Sequence, residues 1–323
     1  MSFTRREFLE ATAAGSLAAG SLAGAEKIPT RVLGKTGFRA TVLSFGGGSR
    51  FTAIKEDDEA VRTFSHALDL GINYLDSADD YGRNQESEVR MGKVLKTRRK
   101  GVFVATKCSN RDGSKTRALV ERSLKNLQVD QLDLVHIHAL TGDDDLAKIE
   151  AKGGVLEELI KCKEAKLTRF IGITCHAAPL TLQKALERHD FDCTQMALNA
   201  AQTAIKSGRG MVPDPDVKEA FEDTALPVAN RKKMGVIAMK VFAQDNLKDQ
   251  PEATGRNLIY YVLSLPITTA VIGYPTLELL DENVKLVKAF KPLPKDEMKR
   301  LAHVLSVRNK TALDHFFRHH VDA

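Results

Sequence analysis

The feature that most constrains this chain is a regular beat of short apolar runs and longer amphipathic stretches. The runs are Thr41–Phe45, Ile72–Asp76, Val102–Thr106, Leu132–His138, Phe170–Thr174, Cys193–Ala197, Gly235–Met239 and Ala270–Gly273. Unbroken apolar runs of this length read as strands covered on both faces. Helix-like patterns follow them at Asp57–Leu70, Glu86–Lys96, Lys115–Leu127, Val155–Ala165, Pro179–Arg188, Val217–Lys233, Gly255–Leu265 and Leu277–Phe290. In the first of these, Val61, Phe64, Ala67 and Leu68 make an apolar stripe at helical spacing. Eight strand–helix units predict an α/β fold closed as a (β/α)8 barrel. A doubly wound open sheet is the structural alternative. A chain of 323 residues suits one such barrel or two domains.

Composition removes several classes. Hydrophobic residues are 43% and charged residues 28%, which excludes wholesale disorder. The net charge of +6 is mild, Trp is absent, and no basic block interleaves with aromatics, so no nucleic-acid partner is expected. No apolar run reaches the roughly 18–20 residues of a membrane span, so no stable membrane insertion is expected. Cys108, Cys162, Cys175 and Cys193 lie far apart without a CxxC pair, which argues against a zinc or iron–sulfur site.

The first 25 residues read as an address. Arg5-Arg6 precede Phe8-Leu9, a weakly apolar Ala/Gly/Ser/Leu stretch runs from Ala11 to Ala25, and Ala23-Gly24-Ala25 forms an A-x-A cleavage pattern. This resembles a bacterial twin-arginine export signal. The resemblance implies passage through the twin-arginine machinery in a folded state and a periplasmic or otherwise exported location. Residues 26–323 then form the barrel and its C-terminal tail. In an oxidising compartment the cysteines could pair, and their spacing leaves that open.

Two stretches interrupt the beat. Ala200–Asp216 carries Gly208, Gly210, Pro213 and Pro215 and reads as a long loop. The tail beyond Lys295 holds one more helical pattern and ends in His315, His319 and His320, which read as a solvated tail; no metal site is expected. Gly46-Gly47-Gly48 follows the first strand, but neither G-x-G-x-x-G nor GxxxxGK[ST] is present. A nucleotide, if bound, is held another way.

Strand ends line the mouth of a βα barrel. Here the second strand ends in Asp76 with Tyr81 five residues on, the third in Lys107 and the fourth in His138. A phenol with an ordinary pKa near 10 is a weak acid at neutral pH. A neighbouring ammonium lowers that value, a carboxylate holds the ammonium charged, and an imidazole orients a bound carbonyl oxygen. The set suits protonation of an oxygen while something else delivers a hydride.

The string Asp76-Ser-Ala-Asp-Asp-Tyr81-Gly82, followed by Ser87-Glu88 and Gly92, resembles the signature of the aldo/keto reductases. Arg31–Gly37 is similar to the family's opening hairpin, which closes the barrel floor. Val102–Lys107 and Asp133–His138 resemble its lysine and histidine strands, and Ile272-Gly273 with Glu282-Asn283 its cofactor-phosphate segment. The resemblance implies a TIM barrel that binds NADP, or NAD, in extended form and reduces carbonyls by hydride transfer. It makes Tyr81 the general acid, Lys107 the residue that tunes it, Asp76 the holder of Lys107 and His138 the orienter of substrate. Gln195 matches the grip on the nicotinamide carboxamide, and Asn283 the adenine contact, with Glu282 beside it. Gly46, Gly47, Gly273 and Thr276 fall along the same cofactor path.

The chain departs from the pattern in three places. Thr174 and Cys175, followed by His176, stand where a Ser-Asn pair usually holds the carboxamide. Met239 replaces the aromatic that stacks on the nicotinamide, and Lys240 after it reads equally as a group approaching cofactor or substrate and as a solvated strand-end lysine. The stretch Tyr274–Leu280 has no cation for a 2′-phosphate, which makes NAD a live choice beside NADP.

The expected partner is a small-molecule carbonyl compound: an aldehyde, a ketone or a sugar-like carbonyl. Thr141–Glu150, with Asp143-Asp144-Asp145, reads as a solvated acidic loop and helix cap, with a site for a basic or polyol substrate as the sharper alternative, and Phe51 reads as an apolar wall. Free nicotinamide nucleotide is scarce outside a cytoplasm. A dinucleotide-binding sensor or accessory subunit with little turnover is therefore the alternative.

Overall fold

The computed structural model describes residues 27–206, 214, 216–243, 247 and 250–306. The export signal and the three tail histidines lie outside them.

The chain opens with an antiparallel hairpin of β1 (Thr30–Val32) and β2 (Arg39–Thr41). Its tip is pressed against the barrel so closely that a Cβ at Gly34 would lie 2.1 Å from the Gly235 nitrogen, so only glycine fits there. Arg31 anchors the hairpin by donating to the carbonyls of Ile267 and Leu263, each at 2.8 Å.

Eight parallel strands then close a barrel. They are β3 (Leu43–Gly46), β4 (Tyr74–Asp76), β5 (Phe103–Cys108), β6 (Leu132–Leu140), β7 (Thr168–Cys175), β8 (Cys193–Ala197), β9 (Gly235–Met239) and β10 (Thr269–Ile272), with β10 pairing back onto β3. Each lies on one of the eight expected runs, shifted by at most a few residues at the ends. The expected (β/α)8 barrel is observed, and the open-sheet alternative is not.

The helices are α1 (Ser49–Thr52), α2 (Asp57–Asp69), α3 (Glu86–Arg98), α4 (Gly113–Leu127), α5 (Asp143–Glu150), α6 (Val155–Glu164), α7 (Pro179–Arg188), α8 (Ala225–Arg231), α9 (Gly255–Ser264) and α10 (Leu277–Lys288). Residues 295–306 are helical as well. The predicted stripe on α2 packs inward through Phe64 and Ala67, joined by Ala60, while Val61 and Leu68 are half-buried at its edges, and Phe64 meets Phe45 of β3 at 5.1 Å between ring centres. Burial of one such side chain contributes about 1.5–3 kcal/mol.

Two predicted elements need correction. The helix expected over Val217–Lys233 is only Ala225–Arg231. Pro227 lacks an N–H and its ring crowds the preceding turn, so it is tolerated only in a helix's first turn, and the helix starts just before it. The acidic loop Thr141–Glu150 holds α5 instead. Its three aspartates occupy the first turn, where they favour the helix dipole, and Leu146 and Ile149 are buried.

The hairpin plugs the barrel floor. Leu33 is fully buried with Ala40, Tyr74, Phe103, Ala105, Leu134, Cys193 and Ile237, while Phe38 and Phe170 pack on the same cluster. This apolar floor leaves the opposite end, where the strands finish, for polar side chains. All four cysteines are buried and none is paired.

Candidate active site

Asp76 ends β4, and Lys107 lies on the neighbouring strand β5. Lys107 Nζ donates to Asp76 Oδ2 at 2.7 Å, to the Ser77 carbonyl at 2.7 Å and to the Tyr81 hydroxyl at 3.1 Å. All three ammonium protons are thereby directed. Nζ also lies 4.5 Å from the Tyr81 ring centre. His138 stands edge-on to Tyr81, with ring centres 5.6 Å apart. The four residues expected from the strand ends meet at one mouth.

The electrostatics differ from expectation in one respect. Burial raises the Tyr81 phenol, and the opposing charge of Lys107 only partly offsets it, so the net shift is upward rather than downward. Tyr81 is held in its acid form. For Lys107, burial disfavours the charge, but Asp76 and Tyr81 outweigh it and raise the ammonium above its ordinary value.

His138 sits where β6 changes register against β7, between Ile137 and Leu140, and Ala139 beside it has a left-handed φ of 51°. Such irregularities re-aim a side chain. Arg111 fixes this one: its Nη2 donates to the His138 carbonyl at 2.7 Å and the Ala139 carbonyl at 3.2 Å. Asp145 holds Arg111 through contacts of 2.8 and 2.9 Å. Asp143 is engaged by Thr181 and Lys184. These two acids of 141–150 therefore brace the scaffold, in line with the helix-cap reading and against the substrate-ligand alternative.

His138 Nδ1 lies 3.3 Å from both Asp80 Oδ1 and Ser109 Oγ. Ser109 Oγ in turn donates to Asp79 Oδ1 at 2.6 Å. The sequence reading singled out none of Asp79, Asp80, Ser109 or Arg111. A signal existed: two acids immediately precede Tyr81, and Ser109 follows Lys107 by two, just past the end of β5.

The expected cofactor residues divide into groups. Gln195, on β8, donates from Nε2 to Asp76 Oδ2 at 3.2 Å, while its buried Oε1 has no protein partner. That orphaned acceptor suits an amide N–H donor, as a nicotinamide carboxamide is. Lys240 follows β9 in a left-handed conformation, φ 59°, and its ammonium is pushed down to about 8 by burial and by Lys107, with Asp76 opposing. Met239 is buried before it. Gly273 closes on α1, where a Cβ would lie 2.8 Å from Arg50 Cβ. Thr276 caps α10 by accepting from the Leu279 N–H at 3.4 Å, Asn283 is buried on that helix, and Glu282 is exposed.

Other residues are held by scaffold contacts. Thr174 Oγ1 accepts the Ala139 N–H at 2.7 Å. Cys175 Sγ donates to the Leu140 carbonyl at 3.1 Å, and burial pushes its thiol up to about 12. A side chain at Gly47 would strike Ser87 Oγ at 2.4 Å, and one at Gly46 would reach the Ile272 carbonyl at 3.0 Å, so both glycines answer to close packing. Phe51 is fully buried against Phe45 and forms no wall of the mouth. His176 Nδ1 lies 2.9 Å from the Ile205 carbonyl, and burial lowers its pKa to about 4.

Comparison with known proteins decides the family. The profile of the Aldo/keto reductase family matches residues 42–257. The chain belongs to the aldo/keto reductase family. It is 38% identical to an L-galactose dehydrogenase of Arabidopsis thaliana, over 84% of this chain and 92% of that protein. It is 30% identical to the aldo-keto reductase yakc [NADP(+)] of Schizosaccharomyces pombe, over 64% of this chain and 62% of that one. Among solved structures, the holo form of aldo-keto reductase AKR11C1 from Bacillus halodurans superposes with a TM-score of 0.68 at 23% identity, covering 86% of this chain and 96% of that one. This aldo/keto reductase is thus an oxidoreductase on the expected barrel.

Proposed function

We propose that this aldo/keto reductase reduces the carbonyl of a small aldehyde, ketone or sugar-like compound, with Tyr81 as the proton donor. The observation that carries this is the row Asp76–Lys107–Tyr81, with contacts of 2.7 and 3.1 Å. The nucleotide, when bound, supplies a hydride to the carbonyl carbon. Tyr81 gives its proton to the carbonyl oxygen, and Lys107 stabilises the phenolate left behind. Asp76 keeps Lys107 charged and aimed, and His138 orients the oxygen from the side. Gln195 Oε1 is the acceptor that would hold the carboxamide.

The yeast relative's name supports NADP, whereas the lack of a cation in residues 274–280 supports NAD. The Arabidopsis relative's name supports a sugar substrate. The N-terminal motif supports export through the twin-arginine machinery to the periplasm. A sensor without turnover would have no use for a buried ammonium held against a phenol, because burying such a pair is costly.

Tyr81→Phe tests the reading. It abolishes reduction across a panel of aldehydes and leaves NADPH or NADH binding intact, followed by the fluorescence of the reduced nucleotide. Unchanged reduction by the variant would remove Tyr81 from its role.

A further inference from the structure

We propose that Asp80 selects substrates with a hydroxyl next to the carbonyl, accepting that hydroxyl at the rim of the mouth. The inference rests on the carbonyl-reductase reading above and names the substrate class of that site.

Asp80 immediately precedes the proton donor Tyr81, and its Oδ1 lies 3.3 Å from His138 Nδ1. His138 is itself edge-on to the Tyr81 ring. Asp80 thus stands one side chain away from the place where the carbonyl oxygen meets Tyr81 and His138. Its side chain is 49% exposed while that of His138 is 15% exposed, so the carboxylate borders the open side of the mouth. An ionised carboxylate is acceptor-only, with about four lone-pair sites. His138 takes one of them, and the exposed remainder can accept only from donors. Burial works against the charge, but the bond from His138 and the fields of His138 and Lys107 hold Asp80 down to about 2, so it is ionised throughout the working range.

A hydroxyl beside the carbonyl replaces water on this carboxylate with a charge-assisted bond. An alkyl group of the same length displaces that water and returns nothing. Sites built to bind a hydroxyl reject the analogue lacking it. Since Asp80 keeps half its surface in water, the discrimination here is moderate. The bond to Nδ1 also places that nitrogen's proton toward Asp80, leaving Nε2 as the free ring nitrogen. Asp143 and Asp145 of the segment 141–150 do not compete for the role, because they are engaged by Lys184, Thr181 and Arg111. Asp79 is buried and committed to the hydroxyl and backbone N–H of Ser109.

The test compares glyceraldehyde with propanal, three-carbon aldehydes that differ only in hydroxyls. The wild-type enzyme prefers glyceraldehyde in kcat/KM. In Asp80→Ala the glyceraldehyde-to-propanal ratio falls at least about tenfold, mainly through KM for glyceraldehyde. Asp80→Asn, which keeps an acceptor toward His138 but loses the charge, gives an intermediate ratio. A ratio within about twofold of wild type in both variants overturns the proposal. An equal loss on both aldehydes also overturns it, since that would mark Asp80 as a support for His138 alone. A wild-type enzyme that reduces neither aldehyde, with nucleotide bound, overturns the carbonyl-reductase reading itself and the selector with it.

Discussion

Lys107 Nζ touches Tyr81 twice, at 3.1 Å from its hydroxyl and 4.5 Å from its ring centre, while both it and Asp76 are buried. The lysine therefore acts on the phenol from a dry position where charge is strongly felt. Lys107→Met removes the phenolate's stabiliser and leaves Asp76 an uncompensated buried charge. Reduction is lost, and stability drops by about 3–5 kcal/mol in urea unfolding. Lys107→Met with Asp76→Asn recovers much of the stability and none of the activity. If the double variant is as unstable as the single one, the loss is not electrostatic.

Gly172 faces His136 inside the barrel. A Cβ there would lie 2.4 Å from His136 Nδ1 and 2.7 Å from the Cys193 carbonyl. Gly172→Ala forces both to move and costs about 1–3 kcal/mol. His136→Ala relieves one clash but not the backbone one, so the pair remains less stable than His136→Ala alone. Urea midpoints of the three variants decide this.

His176 gives stability a pH dependence. Its folded pKa of about 4 lies below the ordinary 6.5, so between those values the unfolded chain binds the proton that the folded chain refuses. Its contribution is neutral above pH 6.5 and increasingly destabilising as pH falls toward 4, reaching about 3 kcal/mol. His136, buried without a hydrogen-bond partner and lowered well below 6.5, acts in the same direction. His176→Gln flattens the fall in stability between pH 7 and pH 4, measured by urea unfolding at stepped pH. An unchanged slope would show that His176 takes up its proton in the folded state.

The floor is separable from the mouth. Leu33→Ala opens a hole among Tyr74, Phe103 and Ile237 and costs about 2–5 kcal/mol. Below the unfolding transition, kcat/KM for any aldehyde is unaltered. A change in kcat/KM without a change in stability would contradict the division of labour between the two ends.

Periodicity exposed the barrel because strands sheathed by helices have no polar face to interrupt them. The four residues of the mouth were visible because each stands where an apolar run stops. Pro227 was also visible, yet its power to begin α8 rather than sit within it comes from a missing N–H, which periodicity does not register. Asp80 and Arg111 were missed for a different reason. Their roles arise from partners 58 and 27 residues distant, His138 in both cases, and become apparent only when the strands close. The acids of 141–150 leave a capping and a substrate reading side by side in the sequence, because composition shows charge but not its partner.

The four buried thiols have a practical consequence. Cys108 ends β5, Cys162 lies in α6, Cys175 ends β7 and Cys193 begins β8, so each samples a different sector of the ring. A thiol reagent reaches any of them only when that sector opens. Labelling rates, resolved cysteine by cysteine, would time the breathing of the barrel along half its circumference without a single introduced probe.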